Sequence, residues 1–202
     1  MGKLIGVIGN SGAGKTTLTR LLCQWLPLRT GLEQHGERPF QGLFAREGSR
    51  YAFPNQVDYL LFRAEQEWQI RQGTGAGIQD GGLDEDFQVF TRHFFERGYL
   101  TEAEYGLCER LYARLRQALP PPEVFIYLKV PLPVLVERMA KRNRTLEIAK
   151  EADLAELQGL LDRWIGGLDP ATLIEIDAGV DDPGYARSQK VLLRQLDSQL
   201  GV

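Results

Sequence analysis

KLIGVIGNSGAGKTT, residues 3–17, decides how the rest of the chain is read. An apolar run, residues 3–8, suits a buried strand. It is followed by G-x-x-x-x-G-K-[ST], with Gly9, Gly14, Lys15 and Thr16 at the fixed positions. Glycines let the backbone curl so that successive N–H groups face one anion, and the positive end of the following helix adds to that attraction. Residues 16–25 continue with Leu18, Leu21, Leu22 and Trp25 at helical spacing, and Pro27 stops them. The alternative is a glycine-rich turn with a surface lysine; strand, motif and helix in the required order favour a phosphate site. The loop Gly9, Asn10, Ser11, Gly12, Ala13, Gly14, Lys15, Thr16 and Thr17 is therefore expected to hold ATP. Lys15 would reach the β- and γ-phosphates, and the Thr16 hydroxyl would face Mg²⁺.

Outward from this loop, apolar runs at residues 124–130 and 172–177 read as further strands, with weaker ones at 30–33 and 77–80. Helical patterns fill 50–72, 84–97, 101–118, 133–141, 149–165 and 183–200. Strands alternating with helices predict an α/β fold, a three-layer arrangement with a central parallel five-stranded sheet, and ligands beyond the carboxyl ends of its strands. The 202 residues suit one domain spanning 1–202.

Composition narrows the function. Twenty-four basic against 27 acidic residues give a formal charge of −3, which argues against a nucleic acid polymer or an anionic membrane as partner. Cys23 and Cys108 are far apart and read as buried thiols. The N-terminus is itself the strand feeding the loop, and no apolar run approaches the roughly 20 residues of a membrane span. No signal peptide and a cytoplasmic location are the expectation.

RMAKRNRTLE, residues 138–147, gathers Arg138, Lys141, Arg142 and Arg144. A solvated basic face is the usual reason for such a run. Beside a phosphate loop it reads better as a lid, at about 138–150, because phosphoryl transfer rewards arginines that neutralise the transferring group.

Six segments together resemble the deoxyribonucleoside kinase family: GNSGAGKTT, LEQHGERPF, RYAFPNQVDYLLFR, IQDGGLDED, FERGYLTEAEYGLCERLYARL and RMAKRNRTLE. The likeness runs from residue 3 to about 177. It implies transfer of the ATP γ-phosphoryl to the 5′-hydroxyl of a deoxyribonucleoside, purine or deoxycytidine favoured. By resemblance Glu33 is the general base, with Lys15, Arg138 and Arg142 its catalytic companions. Gln56 meets the base edge, Arg63 and Asp86 shape the pocket, and Phe90 packs on the base. Glu147 contacts the 3′-hydroxyl, Asp80 lies near Mg²⁺ with Thr16, and Arg142 and Arg144 hold the nucleotide. The family also implies a dimer built by residues 50–72 and 84–97, as a homodimer or with a paralogous kinase.

The pattern breaks at several places, Gln34 and Arg38 among them, which replace a proline and a residue that is often aromatic or asparagine. Asp80-Gly81-Gly82 lacks the arginine of the family's [DE]-R-S triplet, Ala45 replaces a tyrosine, and Pro54 precedes Gln56. Two other readings therefore stay open: a catalytically weak paralogue serving as a regulatory subunit, and another P-loop kinase such as a nucleoside monophosphate kinase.

Overall fold

Strand β1 (Lys3–Ile8) occupies the middle of the sheet because Leu4, Ile5, Val7 and Ile8 are apolar on both faces and all are buried. In the computed structural model, which describes residues 1–31, 38–142, 151–180 and 182–201, it pairs in parallel with β3 (Ala76–Asp80) and β4 (Val124–Lys129). β2 (Arg29–Gly31) lies outside β3, and β5 (Leu173–Asp177) outside β4. The order β2-β3-β1-β4-β5 is a five-stranded parallel sheet. The chain leaves β1 toward β3 and later returns on its other side to β4, so the carboxyl end of β1 is where the winding reverses.

Helices cover both faces. They are α1 (Lys15–Trp25), α2 (Gln41–Glu47), α3 (Ala52–Arg71), α4 (Leu83–Glu85), α5 (Arg92–Glu96), α6 (Glu102–Ala118), α7 (Leu132–Arg142), α8 (Leu154–Ile165) and α9 (Gln189–Leu200). Between α4 and α5 the helix widens to a π turn over Asp86–Thr91. The main core joins Ile5, Val7, Ile78 and Ile126 of the sheet to Leu18 and Leu22 of α1, Leu135 of α7 and Leu192 and Leu196 of α9. A second cluster packs Ile8, Phe125 and Tyr127 on Leu157, Leu160 and Leu161 of α8.

Buried charge fixes α3 against its neighbours. Glu67, wholly enclosed, accepts from Arg71 at 2.9 Å and from Arg116 of α6 at 2.7 Å, while Arg71 also donates to the carbonyls of Pro120 and Pro121. Both carboxylate oxygens are thus paired, which a buried glutamate requires. Thr101 caps α6 with a reciprocal pair of bonds to Glu104.

Two elements differ from the sequence reading. α2 has no counterpart in the sequence reading. The final helix begins at Gln189 rather than 183, because Gly184 (φ 69°) and Tyr185 (φ 54°) both take left-handed angles inside the single turn at Pro183–Tyr185. Within the 84–97 segment Phe87, Val89 and Phe94 are buried, while Phe95 is exposed. Pro54 falls in the first turn of α3, where its missing N–H leaves no helix bond unmade. No described helix is long and apolar enough to cross a membrane.

Candidate active site

The site lies beyond the carboxyl ends of β1 and β3. Leaving β1, the chain turns through Gly9–Gly14 into α1. Gly14 has φ 100° and supplies no side-chain cap, so the first N–H groups of α1 remain available to an anion. Asn10 stiffens the loop: its Oδ1 accepts from Ser11 N–H at 2.8 Å, and its Nδ2 donates to the Leu154 carbonyl and Gln158 Oε1 of α8 at 2.9 and 3.1 Å. Lys15 Nζ donates to the Gly9 and Asn10 carbonyls and lies 3.5 Å from Glu85 Oε2. The lysine is folded back over its own loop.

Asp80, at the end of β3, joins two parts of the site. The Thr16 hydroxyl donates to its carboxylate, and Arg63 Nη1 donates to its carbonyl at 2.9 Å. A serine or threonine hydroxyl beside a carboxylate is an all-oxygen donor set of the kind Mg²⁺ takes. Arg63, brought in by α3, also donates through Nε to Asp86 Oδ2 at 2.8 Å, both side chains being buried. Gln56, two turns earlier on α3, donates to the Asp86 carbonyl at 3.2 Å, and Thr91 Oγ1 donates to the same oxygen at 2.9 Å. The π turn brings this carbonyl within reach of both side chains. Phe90 is half-buried against the cluster of α8 and β4. Gln56, Arg63, Asp80 and Asp86 thus come together through these bonds.

On the other flank, Arg138 of α7 donates to the Ala178 carbonyl at 2.8 Å, which ties α7 to the end of β5. A Cβ on Gly12 would lie 3.9 Å from Arg138 Cβ, so this helix borders the phosphate loop. Arg142 ends α7. Glu33, Arg144 and Glu147 lie outside the described residues, as does the rest of the lid at 143–150.

The position of the missing triplet arginine is now defined. Gly81 has φ 75°, and a Cβ there would sit 3.0 Å from Glu85 Oε2 and 3.2 Å from Arg63 Nη2. Arg38 does not fill the space: it is held by Asp58 through two bonds of 2.7 and 2.8 Å and lies over the Phe62 ring. Ala45 is exposed on α2.

Two residues escaped the sequence reading. Glu85 is buried, and its Oε1 accepts from Gly9 N–H at 2.8 Å; burial pushes its carboxyl up to about 7, against the pull of Lys15 and Arg63. Tyr185 places its hydroxyl 3.1 Å from where a Gly14 Cβ would be, and burial raises its phenol. An acidic pair in a helix's first turn reads as a dipole-favoured solvated cap, and the Tyr185 backbone angle leaves no mark in the sequence. The two thiols stay inert, each raised by burial, Cys108 to about 11.

Comparison with known proteins adds to this geometry. A family model described as deoxynucleoside kinase matches residues 5–197. The deoxyadenosine/deoxycytidine kinase of Bacillus subtilis (strain 168) is 27% identical over 176 residues, covering 86% of this chain and 81% of that protein. A deoxyadenosine kinase of Dictyostelium discoideum is 32% identical over 163 residues, 81% of this chain and 65% of that one. Among solved structures, a deoxyadenosine kinase from M. mycoides with dCMP and a flexible dCDP bound superposes with a TM-score of 0.82 at 21% identity, covering 96% of this chain and 99% of the other. The same kinase with dATP bound gives 0.79.

Proposed function

The chain belongs to the deoxynucleoside kinase family, an ATP-dependent phosphotransferase acting on deoxynucleosides, and from that premise we propose how its own residues do this work. The observation that carries the reading is the double use of Asp80, whose carboxylate meets Thr16 of the phosphate loop while its carbonyl holds Arg63 of the base pocket. One residue therefore sets the distance between donor and acceptor subsites, and positioning is most of what phosphoryl transfer asks of a protein.

Residues 9–17 bind the ATP phosphates. Lys15 swings from the Gly9 and Asn10 carbonyls to the phosphate oxygens, where it neutralises charge that grows in the transition state. Arg138, Arg142 and Arg144 add cations that offset the charge of the transferring group. Thr16 and Asp80 would hold Mg²⁺, which would supply positive charge against that of the phosphates. Glu33 orients the 5′-hydroxyl and accepts its proton, since a carboxylate near the attacking oxygen can do both. Glu147 takes the 3′-hydroxyl, Phe90 packs on the base, and Gln56 presents a donor and an acceptor to its edge.

Gln56, Arg63 and Asp86 favour a purine or cytosine base over thymine, and the family resemblance puts purines ahead of deoxycytidine. A fixed guanidinium beside a fixed carboxylate matches a base edge that offers amino donors next to ring nitrogens, which thymine does not present. Relatives named for deoxyadenosine and deoxycytidine are in keeping with a base of this kind. The whole chain acts as one kinase domain, located in the cytoplasm. No observation favours the regulatory-subunit or monophosphate-kinase readings.

A dimer is also proposed. Leu61 and Trp68, one heptad apart on α3, are exposed, as is Leu107 on α6. Together with Phe95 on α5, α3 and α6 offer the apolar area. A monomer by light scattering at micromolar concentration would contradict it.

Specificity constants for deoxyadenosine, deoxyguanosine, deoxycytidine and thymidine, beside nucleoside monophosphates, test the pocket. Purines should lead. A highest value for thymidine or for a monophosphate would overturn it.

A further inference from the structure

Glu85 is the buried charge of the site that the transfer scheme above leaves unused. It lies on α4, directly after the turn at Gly81 and Gly82, and its two oxygens divide between two parts of the phosphate loop. Oε1 accepts from Gly9 N–H at 2.8 Å, and Oε2 lies 3.5 Å from Lys15 Nζ. Among the described residues it is the acidic side chain paired with that lysine; the other oxygens around Nζ are the Gly9 and Asn10 carbonyls. Room for the carboxylate exists because Gly81 has no side chain, a Cβ there falling 3.0 Å from Oε2. The charged groups that face Glu85 are Lys15 from α1, Arg63 from α3 and Asp86 from its own helix.

Phosphates that enter the loop must draw Lys15 away from this carboxylate, and they bring further negative charge toward it. We propose that Glu85 is a positioning residue of the donor subsite, bracing the loop through Gly9 and holding Lys15 in the empty enzyme in direct competition with the phosphates of ATP. The two effects have opposite signs. The brace keeps the loop in the shape that binds; the competition weakens binding. The carboxyl's elevation to about 7 agrees with a group whose negative form is poorly housed. The proposal rests on the kinase reading given above.

Substitution separates the two effects. Glu85→Gln keeps an oxygen for Gly9 N–H and removes the charge, so Kd and KM for ATP should fall by roughly three- to tenfold at pH 8, with kcat changed by about twofold or less. KM for the deoxynucleoside should stay put. Glu85→Ala removes the brace as well, so kcat and the thermal midpoint should both drop, and the Gln variant should restore them. A residue of merely structural importance would move stability without this split in ATP affinity. An unchanged or raised ATP Kd in Glu85→Gln overturns the proposal. If the wild type binds ATP but phosphorylates no deoxynucleoside, the kinase reading fails instead, and the order of ATP affinities still decides Glu85.

A second variant reads the native carboxylate directly. Lys15→Ala leaves Glu85 without its counter-ion, so the ligand-free midpoint should fall by several degrees at pH 8 and by less at pH 6, where the carboxyl is protonated more fully. Equal midpoints for Lys15→Ala and wild type at both pH values would show that the pair does not exist in solution, and would also overturn the proposal.

Discussion

Gly81→Ala and Gly81→Arg should both destabilise the protein, and neither should speed it up. Gly81 sits at φ 75°, a left-handed angle. Any side chain there costs about 1–2 kcal/mol in backbone conformation alone. Its Cβ would come within 3.0 Å of Glu85 Oε2 and 3.2 Å of Arg63 Nη2. These are the ends of side chains, but they are pinned: Glu85 by Gly9 and Lys15, Arg63 by Asp86 and the Asp80 carbonyl. Forcing them aside adds roughly another 1 kcal/mol or more. In a chain of this size about 1 kcal/mol moves the midpoint by roughly 2–4 °C, so a fall on the order of 5–10 °C is expected for alanine. Arginine adds a cation beside Arg63 and should fall at least as far. The assay is thermal unfolding followed by circular dichroism, paired with the turnover number at 25 °C, well below either midpoint. A Gly81→Arg enzyme that turns over faster at an unchanged midpoint would refute the reasoning, and would mark Gly81 as a lost functional position rather than a conformational requirement.

Glu33→Gln should lower kcat by at least about a hundredfold while ATP Kd stays within about twofold, because the amide keeps the shape but cannot take a proton; lost ATP affinity would point to a structural role. Asp86→Asn should cost about 3–5 kcal/mol, since it leaves the Arg63 guanidinium buried beside a neutral group, and denaturant unfolding that gave less than about 1 kcal/mol would contradict the buried pair. Glu85 also predicts a pH dependence of stability. Its carboxyl is raised from 4.5 to about 7 in the fold, so the folded state binds the proton more tightly than the unfolded chain. That contribution is fully present below pH 4.5 and is lost as pH rises through 7, on the order of 3 kcal/mol in all. The midpoint of the wild type should therefore fall relative to that of Glu85→Gln between pH 5 and pH 8; parallel curves would count against it.

The parallel sheet was legible because its strands are short apolar runs with few polar interruptions. β1, β4 and β5 fall within a residue or so of the expected bounds, and the loop after β1 carries its own motif. The meeting of Gln56 and Arg63 with Asp86 was suggested only by resemblance: nothing in the periodicity of α3 calls for it. α2 went unseen because QGLFARE is too short and too weakly periodic to stand out from a loop. The start of α9 was misplaced because proline at 183 reads as a first-turn residue, whereas two left-handed angles after it delay the helix to Gln189. Glu85 was missed for a different reason. Its partners, Gly9 and Lys15, are far away in sequence and reach it only when β1 and β3 lie side by side.

The most direct test of the account is the fate of the γ-phosphoryl. Purified wild-type protein is incubated with Mg²⁺, γ-labelled ATP and deoxyadenosine, deoxyguanosine, deoxycytidine or thymidine, and the products are separated by chromatography, with Lys15→Ala as the control. The account predicts labelled 5′-monophosphate and ADP in equal amounts, most from a purine deoxynucleoside and least from thymidine, and none with Lys15→Ala. Label released only as inorganic phosphate, or transfer that persists undiminished in Lys15→Ala, would contradict it.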